Sequence, residues 1–144
     1  MPPGMSPRAE LGLLLRMAHR KAARAFGQAL APLGLEGRHF GVLLTLAGQG
    51  PMIQSRLISE LHSDKSAMVR TVDDLEGQGL VTRTLVPGDR RARAVTITDL
   101  GRERLAEARV VANSAGEKIF DHIDDTDLAT LLRLLRGLID QPDT

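Results

Sequence analysis

The spacing of apolar residues changes from three or four to two after Gly79, and this change constrains the fold more than any other feature of the chain. Leu80 to Val86 alternates apolar and polar residues, Pro87-Gly88-Asp89 is a turn signal, and Arg93 to Ile97 alternates again. A period of two is typical of half-buried strands. The pattern therefore predicts a β-hairpin directly after a pair of short helices.

Six helices are predicted from apolar residues that recur three and four positions apart. They span about residues 8–30, 37–46, 55–61, 65–78, 100–117 and 124–139. Gly79 is placed to end the fourth helix in a left-handed conformation. Candidate N-caps are Ser55 for the third helix, Ser63 or Asp64 for the fourth, and Thr98 or Asp99 for the fifth.

This order of elements predicts a mainly α fold with a small β-hairpin, in one domain of 144 residues. A winged helix-turn-helix at about residues 36–98 is flanked by N- and C-terminal dimerisation helices at about 8–31 and 100–141. The first and last helices are too apolar to lie alone, and a single chain of this length has no second layer to cover both. We therefore expect a twofold homodimer.

The charge and the aromatic content favour a protein that binds duplex DNA. The net charge is only +1, but the segment from Arg83 to Arg93 holds four arginines and one acid. A local basic patch of this kind suits DNA binding. The chain has three phenylalanines and no tryptophan or tyrosine, so it offers few rings on which single-stranded nucleic acids could stack.

Other classes of function are disfavoured. The absence of cysteine excludes disulfides and thiolate metal sites, and no apolar run reaches the roughly 18 to 20 residues of a membrane span, so we expect a cytoplasmic protein. No phosphate loop, nucleophile elbow or His-Glu-x-x-His pattern argues for an enzyme, and no cofactor is expected. Four aspartates near the last helix, with His122 beside them, could suggest a metal site, but helix capping explains them better: Asp121, Asp124, Asp125 and Asp127.

The fourth helix is the candidate recognition helix. With Met68, Val72 and Leu75 facing inward, it presents short and basic residues that fit a major groove about 12 Å wide. Its predicted exposed residues are Lys65, Ser66, Ala67, Val69, Arg70 and Asp73, and all but the aspartate, together with Ser55, are candidate DNA contacts. Arg70 is the best candidate for reading guanine or holding a phosphate. A solvated helix face without a partner is the alternative.

The wing contributes a second group of candidate DNA contacts, Asp89, Arg90, Arg91 and Arg93. Arg91 is expected to enter the minor groove, where A/T-rich DNA concentrates negative potential. Arg90 and Arg93 would hold phosphates. Since Asp89 would repel a phosphate, we expect its carboxylate to accept a hydrogen bond from the Arg91 guanidinium and so to aim it. The alternative is a charged hairpin tip with no partner.

From Leu11 to Leu138 the chain resembles MarR-type transcriptional regulators. The similar motifs are Ser66-Ala67-Met68-Val69-Arg70, Val72-Asp73-Asp74-Leu75-Glu76, Gly79-Leu80-Val81, Asp89-Arg90-Arg91, Thr96-Ile97-Thr98 and Gly101. Asp74 departs from the pattern, because the family often has a basic residue there, and we expect it to weaken the positive potential of the recognition helix. The resemblance implies a homodimer, usually a repressor, that binds a pseudo-palindromic operator and is released by a small aromatic or anionic molecule.

The resemblance also implies a ligand pocket between the dimerisation helices and the winged domain. Candidate residues in that region are Arg16, Met17, His19, Arg20, Phe26, Arg38 and His39. Arginine and histidine near apolar walls suit an aromatic carboxylate. The alternative is a basic helix face, with His39 exposed or capping the second helix. For the protein as a whole, a winged-helix module for protein–protein contact is the alternative to a DNA-binding regulator.

Overall fold

The computed structural model describes residues 3–144, which form six helices and three strands. In chain order these are α1 (Pro7–Leu30), α2 (Gly37–Gln49), β1 (Met52–Ile53), α3 (Gln54–Glu60), α4 (Lys65–Gly77), β2 (Val81–Val86), β3 (Asp89–Ile97), α5 (Asp99–Ile119) and α6 (Asp125–Ile139). A short 3-10 turn, Ala31–Leu33, joins α1 to α2. The predicted fold class is confirmed: the chain is mainly helical with a small antiparallel sheet.

Side-chain caps set the starts of the two helices that flank the hairpin. At the N-cap of α4, Asp64 Oδ1 accepts a hydrogen bond from the Ala67 backbone N–H at 2.7 Å. At the N-cap of α5, the Thr98 hydroxyl accepts one from the Gly101 N–H at 3.0 Å. Gly79 has a φ of 75°, the left-handed conformation that its position after α4 predicts.

The sheet contains a strand that the apolar pattern did not reveal. β1 is two residues long and pairs with β3 through Met52↔Val95 and Ile53↔Ala94, so the strand order is β1-β3-β2. Two residues are too few for alternation to be recognised. Because β1 leads directly into α3, Ile53 occupies the N-cap of α3 and Ser55 lies inside the helix, so the prediction of Ser55 as the cap is wrong.

The hydrophobic core lies inside the winged domain and under the first half of α5. The three residues of α4 predicted to face inward, Met68, Val72 and Leu75, are buried, and so is Thr71. By contrast, α1 buries only Leu30 and α6 buries no residue. The main buried apolar residues are Leu30, Leu35, Val42, Leu43, Leu46, Met52, Leu57, Met68, Val72, Leu75, Leu80, Val81, Val95, Leu105 and Ala108. This core fixes the recognition helix against the sheet.

The two terminal helices leave large apolar side chains in solvent. Met17 of α1 and Ile139 of α6 expose 56% and 57% of their surface. Other leucines on the same two helices are exposed by 40% or more: Leu11, Leu13, Leu14, Leu131, Leu132, Leu134 and Leu138. Monomers rarely present contiguous apolar surface of this kind. In the described part of the chain, no helix has the length and apolar character required to cross a bilayer.

Gly101 allows α5 to approach the chain segment that follows α4. A Cβ at this position would overlap the Leu80 carbonyl oxygen and would lie 2.8 Å from Ile97 Cγ1. The same Leu80 oxygen accepts the Thr98 N–H at 3.0 Å, and the Thr98 hydroxyl donates to the Gly79 carbonyl at 2.7 Å. The end of α4, both ends of the hairpin and the start of α5 therefore meet at one point, which has no room for a side chain.

We expect Gly101→Ala to lower the free energy of unfolding by about 3 kcal/mol, because the added methyl overlaps backbone rather than a flexible side chain. Urea unfolding followed by circular dichroism at a fixed protein concentration measures this change. Gly48→Ala in α2 is the matched control, since nothing lies within 4 Å of the added Cβ there. The control should be neutral or stabilising by up to about 1 kcal/mol. Equal midpoints for the two variants would contradict the steric account.

Candidate nucleic-acid interface

The exposed face of α4 carries the residues predicted for DNA contact. Lys65, Ser66 and Arg70 are exposed, while Ala67 and Val69 are half-buried. Four residues of α4 and its cap line a shallow surface cleft: Asp64, Lys65, Ser66, Val69 and Arg70. The first turn combines small side chains with backbone N–H groups, so this end of the helix can approach another surface closely. Ser55, on α3, is exposed and does not line this cleft.

One flank of α4 is tied to the sheet by an ion-pair network. Arg83 of β2 places one guanidinium nitrogen 2.6 Å from Asp73 Oδ1 and the other 2.8 Å from Glu76 Oε1. Asp73 is exposed, as predicted. Its charge is balanced within the protein by Arg83.

The other flank of α4 is tied to the start of α2. Arg38 Nη2 lies 2.9 Å from Asp74 Oδ2 and 2.8 Å from Glu36 Oε2, and Arg38 Nη1 donates to Thr71 Oγ1 at 3.0 Å. His39 Nε2 lies 3.0 Å from the same Asp74 oxygen. We call Glu36, Arg38, His39 and Asp74 the Asp74 cluster. Its geometry also balances the charge of Asp74 from within the protein.

The ionisation of the Asp74 cluster follows from these contacts. Hydrogen bonds from His39 and Arg38 hold the pKa of the Asp74 carboxyl below its ordinary value. Partial burial disfavours the charged form of Arg38, but the hydrogen bonds to Glu36 and Asp74 outweigh it and raise the pKa of Arg38 above its ordinary value. Both groups are therefore charged at neutral pH, as an ion pair.

The wing has a different internal geometry from the one expected. Asp89 Oδ1 accepts hydrogen bonds from the backbone N–H groups of Arg91 at 2.9 Å and Ala92 at 3.2 Å. Its partner is thus the turn itself and not the Arg91 guanidinium, which corrects the predicted aiming contact. Gly88, with a φ of 81°, precedes this turn. Arg93 Nη1 donates a hydrogen bond to the Arg90 carbonyl at 3.3 Å, so its side chain folds back onto the wing backbone three residues earlier.

Cations on the helix and the wing remain without acidic partners. Among the residues that the structure describes, Lys65 and Arg70 of α4 and Arg90 and Arg91 of the wing form no salt bridge. Asp73, Asp74 and Glu76, in contrast, all pair with arginines inside the protein. Apart from Asp89, whose carboxylate accepts hydrogen bonds from the backbone of the turn, the charges left for an outside partner on these two elements are positive, which suits a polyanion.

A separate cleft of about 770 Å³ lies between α1, α2 and the region joining α5 to α6. All three phenylalanines of the chain line it, and the ring centroids of Phe26 and Phe120 are 6.4 Å apart. We call it the phenylalanine cleft. One cation, Arg109, lines it. Its other lining residues are Leu44, Ala112, Asn113, Gly116, Glu117, Asp121, Ile123, Asp125 and Leu128. Sequence patterns did not predict this site, since the three phenylalanines lie far apart along the chain.

The structure does not bring the predicted ligand residues together, and this corrects the expectation of one shared site. Phe26 lines the phenylalanine cleft. Arg38 and His39 belong to the Asp74 cluster, where both ring nitrogens of His39 are engaged and its side chain is only 5% exposed. The remaining predicted residues lie exposed on α1 and do not line the cleft: Arg16, Met17, His19 and Arg20.

The acidic residues near α6 act as caps where the structure shows a role for them. Asp124 Oδ1 accepts the Asp127 N–H at 2.8 Å at the N-cap of α6, as predicted. Asp121 and Asp125 border the phenylalanine cleft. Over residues 3–144, no group of three or more histidine or acidic side chains is arranged to hold a metal ion.

A helix-turn-helix followed by a three-stranded wing, with unpaired cations on both, defines a winged helix-turn-helix protein. Comparison with known proteins makes the class more specific. The sequence pattern of the MarR family matches residues 33–92. The chain is 29% identical to a putative transcriptional regulatory protein for the hcr operon of Thauera aromatica, over 92% of this chain and 80% of that one. It is 28% identical to the HTH-type transcriptional repressor NicR of Pseudomonas putida, over 93% and 85% of the two chains.

Solved structures of similar proteins have the same fold. CouR from Rhodococcus jostii, bound to p-coumaroyl-CoA, superposes with a TM-score of 0.81 at 29% identity, over 98% of this chain and 99% of that one. A MarR mutant from E. coli in complex with operator DNA superposes with a TM-score of 0.82 at 26% identity, over 90% and 93%. The chain is thus similar to MarR-family transcriptional regulators, with the family pattern over residues 33–92 and the fold of these structures over nearly its whole length.

Proposed function

We propose that this protein is a transcriptional regulator of the MarR type, a homodimeric repressor that binds double-stranded DNA at a pseudo-palindromic operator and is released by a small aromatic ligand. The main support for DNA binding is that the acids of α4 are paired within the protein, whereas cations of α4 and the wing are not. Asp73, Asp74 and Glu76 are neutralised within the protein, whereas Lys65, Arg70, Arg90 and Arg91 keep their charge for another molecule. The operator complex of the E. coli MarR mutant, a protein of the same fold, supports this function.

Each DNA-facing element has a distinct task in this proposal. α4 enters the major groove, where Ser66, Ala67 and Val69 contact base edges and Arg70 reads guanine or holds a phosphate. Arg91 enters the adjacent minor groove, and Arg90 and Arg93 hold phosphates on either side of it. Asp89 contributes through the turn, because its carboxylate fixes the backbone from which Arg91 projects.

Selection from a random pool of duplexes tests the function directly, and we expect an enriched palindrome with half-sites about one helical turn apart. Arg91→Ala should weaken operator binding about tenfold or more and reduce the salt dependence by about one phosphate contact. Arg133→Ala, on the polar side of α6, is the control with the same change in charge. No enriched sequence, together with binding that is insensitive to salt, would point instead to a protein-interaction module.

Asp89→Ala gives a prediction whose sign separates two effects. Removing a negative charge should tighten DNA binding if only electrostatics matter, whereas loss of the two turn hydrogen bonds should weaken it. We expect about three- to tenfold weaker operator binding, equivalent to one lost net hydrogen bond. Asp89→Asn keeps an acceptor oxygen for the turn and should stay near the wild-type affinity. Tighter operator binding by Asp89→Ala in a gel-shift titration would exclude a structural role of Asp89.

The apolar surfaces of α1 and α6 support the homodimer. Neither helix has the buried face that an amphipathic helix of its length normally acquires, and a second copy supplies matching surfaces by twofold symmetry. A dimer also places two recognition helices against two half-sites. The homodimer is therefore the assembly that joins the fold to a palindromic operator.

Replacing Leu134 and Leu138 by glutamate should convert the dimer to a monomer or prevent stable folding, because it places charge in the apolar face of α6. Sedimentation equilibrium measures the mass, and operator binding should fall in parallel. Arg133→Glu lies on the polar side of the same helix, makes the same change in net charge and should remain dimeric. A double variant that kept both the wild-type mass and the wild-type operator affinity would show that α6 does not form the interface.

The phenylalanine cleft supports the ligand response. The side chains of Phe26, Phe40 and Phe120 form walls suited to a flat ring, and Arg109 and Asn113 supply polar contacts for a carboxylate. The cleft lies where α5 joins the DNA-binding domain to the terminal helices, so an occupant can bias their relative orientation. CouR, of the same fold, was solved with the aromatic thioester p-coumaroyl-CoA.

Calorimetry with a panel of aromatic acids tests this part of the proposal. At least one acid should bind wild-type protein and release operator DNA, and its affinity should fall about tenfold or more in Arg109→Ala, which loses a charge-assisted contact. Arg102→Ala, also on α5 but outside the cleft lining, serves as the control. A panel without any binding would contradict ligand release by an aromatic acid and leave DNA binding unaffected.

A further inference from the structure

We propose that Asp74 is a positioning residue that sets the rotation of the recognition helix about its axis through Arg38 and His39, and that it thereby determines operator specificity. This inference rests on the proposed DNA-binding function. It concerns a residue that makes no DNA contact in that proposal.

The two flanks of α4 are held by different parts of the fold. Successive residues of an α-helix are about 100° apart, so Asp73 and Asp74 point to different sides. Asp73 faces β2 and pairs with Arg83, whereas Asp74 faces the start of α2 and meets Arg38 and His39. The exposed face that carries Arg70 lies between these two attachments. Rotation of the helix in either direction would therefore stretch one of them.

The α2 side of this arrangement is unusually well fixed. The His39 ring is buried, and its Nδ1 accepts a hydrogen bond from the Glu36 backbone N–H at 2.8 Å. A nitrogen that accepts from N–H carries no proton, so in the neutral ring Nε2 is protonated and donates to Asp74 Oδ2. In the reverse direction, the Glu36 side chain accepts a hydrogen bond from the backbone of His39 in a capping box. The ring that holds Asp74 is thus part of the cap of α2.

Arg38 adds a second, charged connection. Its guanidinium joins Glu36 and Asp74 and also donates to Thr71, one turn earlier on α4. Two residues of α4 on the same flank are therefore held by one side chain of α2. Apolar contacts of the inner stripe are non-directional and tolerate small rotations, whereas these hydrogen bonds fix an angle. The Asp74 cluster supplies directional contacts where the core does not.

The test compares specific and non-specific DNA binding, because electrostatics and positioning predict opposite signs. Asp74→Ala removes a negative charge beside the DNA-facing surface, so its affinity for random duplex should stay equal or rise. Its affinity for the selected operator should fall, and the ratio of the two should decrease about tenfold, comparable to one mismatched base pair. Asp74→Asn keeps an oxygen that can accept from His39 and Arg38 and should retain most of the ratio. Asp143→Asn is the control for net charge.

A second variant and a spectroscopic signature distinguish positioning from loss of stability. Arg38→Ala should reduce the ratio as well, and the double variant Arg38→Ala/Asp74→Ala should lose less than the sum of the two single losses, because the two substitutions share the Arg38–Asp74 contact. By nuclear magnetic resonance, the His39 Nε2 proton should exchange slowly with water in the wild type and rapidly in Asp74→Ala. Thermal unfolding checks that each variant is folded at the assay temperature.

The outcomes separate this inference from the function on which it rests. Wild-type protein that enriches no sequence would overturn the proposed function and this role of Asp74 with it. Wild-type protein that enriches an operator, beside an Asp74→Ala variant with an unchanged ratio, would overturn only the role of Asp74. Additive effects of the Arg38 and Asp74 substitutions would also overturn it, because independent effects show that the two side chains do not act together.

Discussion

The close backbone approach at Gly101 is the constraint on which the rest of the structure depends. At this point the Leu80 carbonyl receives the Thr98 N–H, and Thr98 in turn caps α5. The recognition helix ends, the wing begins and closes, and the long helix toward the terminal regions starts, all within a few residues. A side chain at Gly101 would separate these elements. The direction of the wing relative to α5, and so relative to any partner copy, is therefore set by main-chain contacts.

The sign of the charge on α4 differs between the sides of the helix. Its three acids are directed to the flanks and neutralised by Arg83 and Arg38, and its cations face outward. The net charge of +1 conceals this arrangement, because the pairs cancel in the sum. The result is a small positive surface with little long-range attraction to polyanions. In the proposed function, such a surface would favour selective over indiscriminate DNA binding.

The sequence predicted the elements whose signal is local. The inner stripe of α4, the Asp64 and Thr98 caps and the left-handed Gly79 all follow from spacing and side-chain chemistry within one or two turns, and the structure confirms them. β1 escaped because a two-residue strand has no period, and Ser55 was misassigned as a consequence.

Contacts between distant segments were beyond prediction for another reason. The carboxylate of Asp74 and the ring of His39 are 35 positions apart, and no pattern in a single sequence pairs them. For the same reason, the seven residues predicted to form one ligand site are separated in the structure. The Asp89 carboxylate could have been assigned correctly, since an aspartate at a turn commonly accepts from backbone N–H groups two and three positions later.

The convergence of all three phenylalanines on one cleft has a consequence for how this protein can be observed. With no tryptophan or tyrosine elsewhere, the chain is almost silent in near-ultraviolet absorption and emission. Every native aromatic signal, in fluorescence or in the aromatic region of a nuclear magnetic resonance spectrum apart from the four histidines, arises from the cleft itself. The three phenylalanines are therefore intrinsic spectroscopic probes, and all of them lie in the cleft where we propose that an aromatic ligand binds.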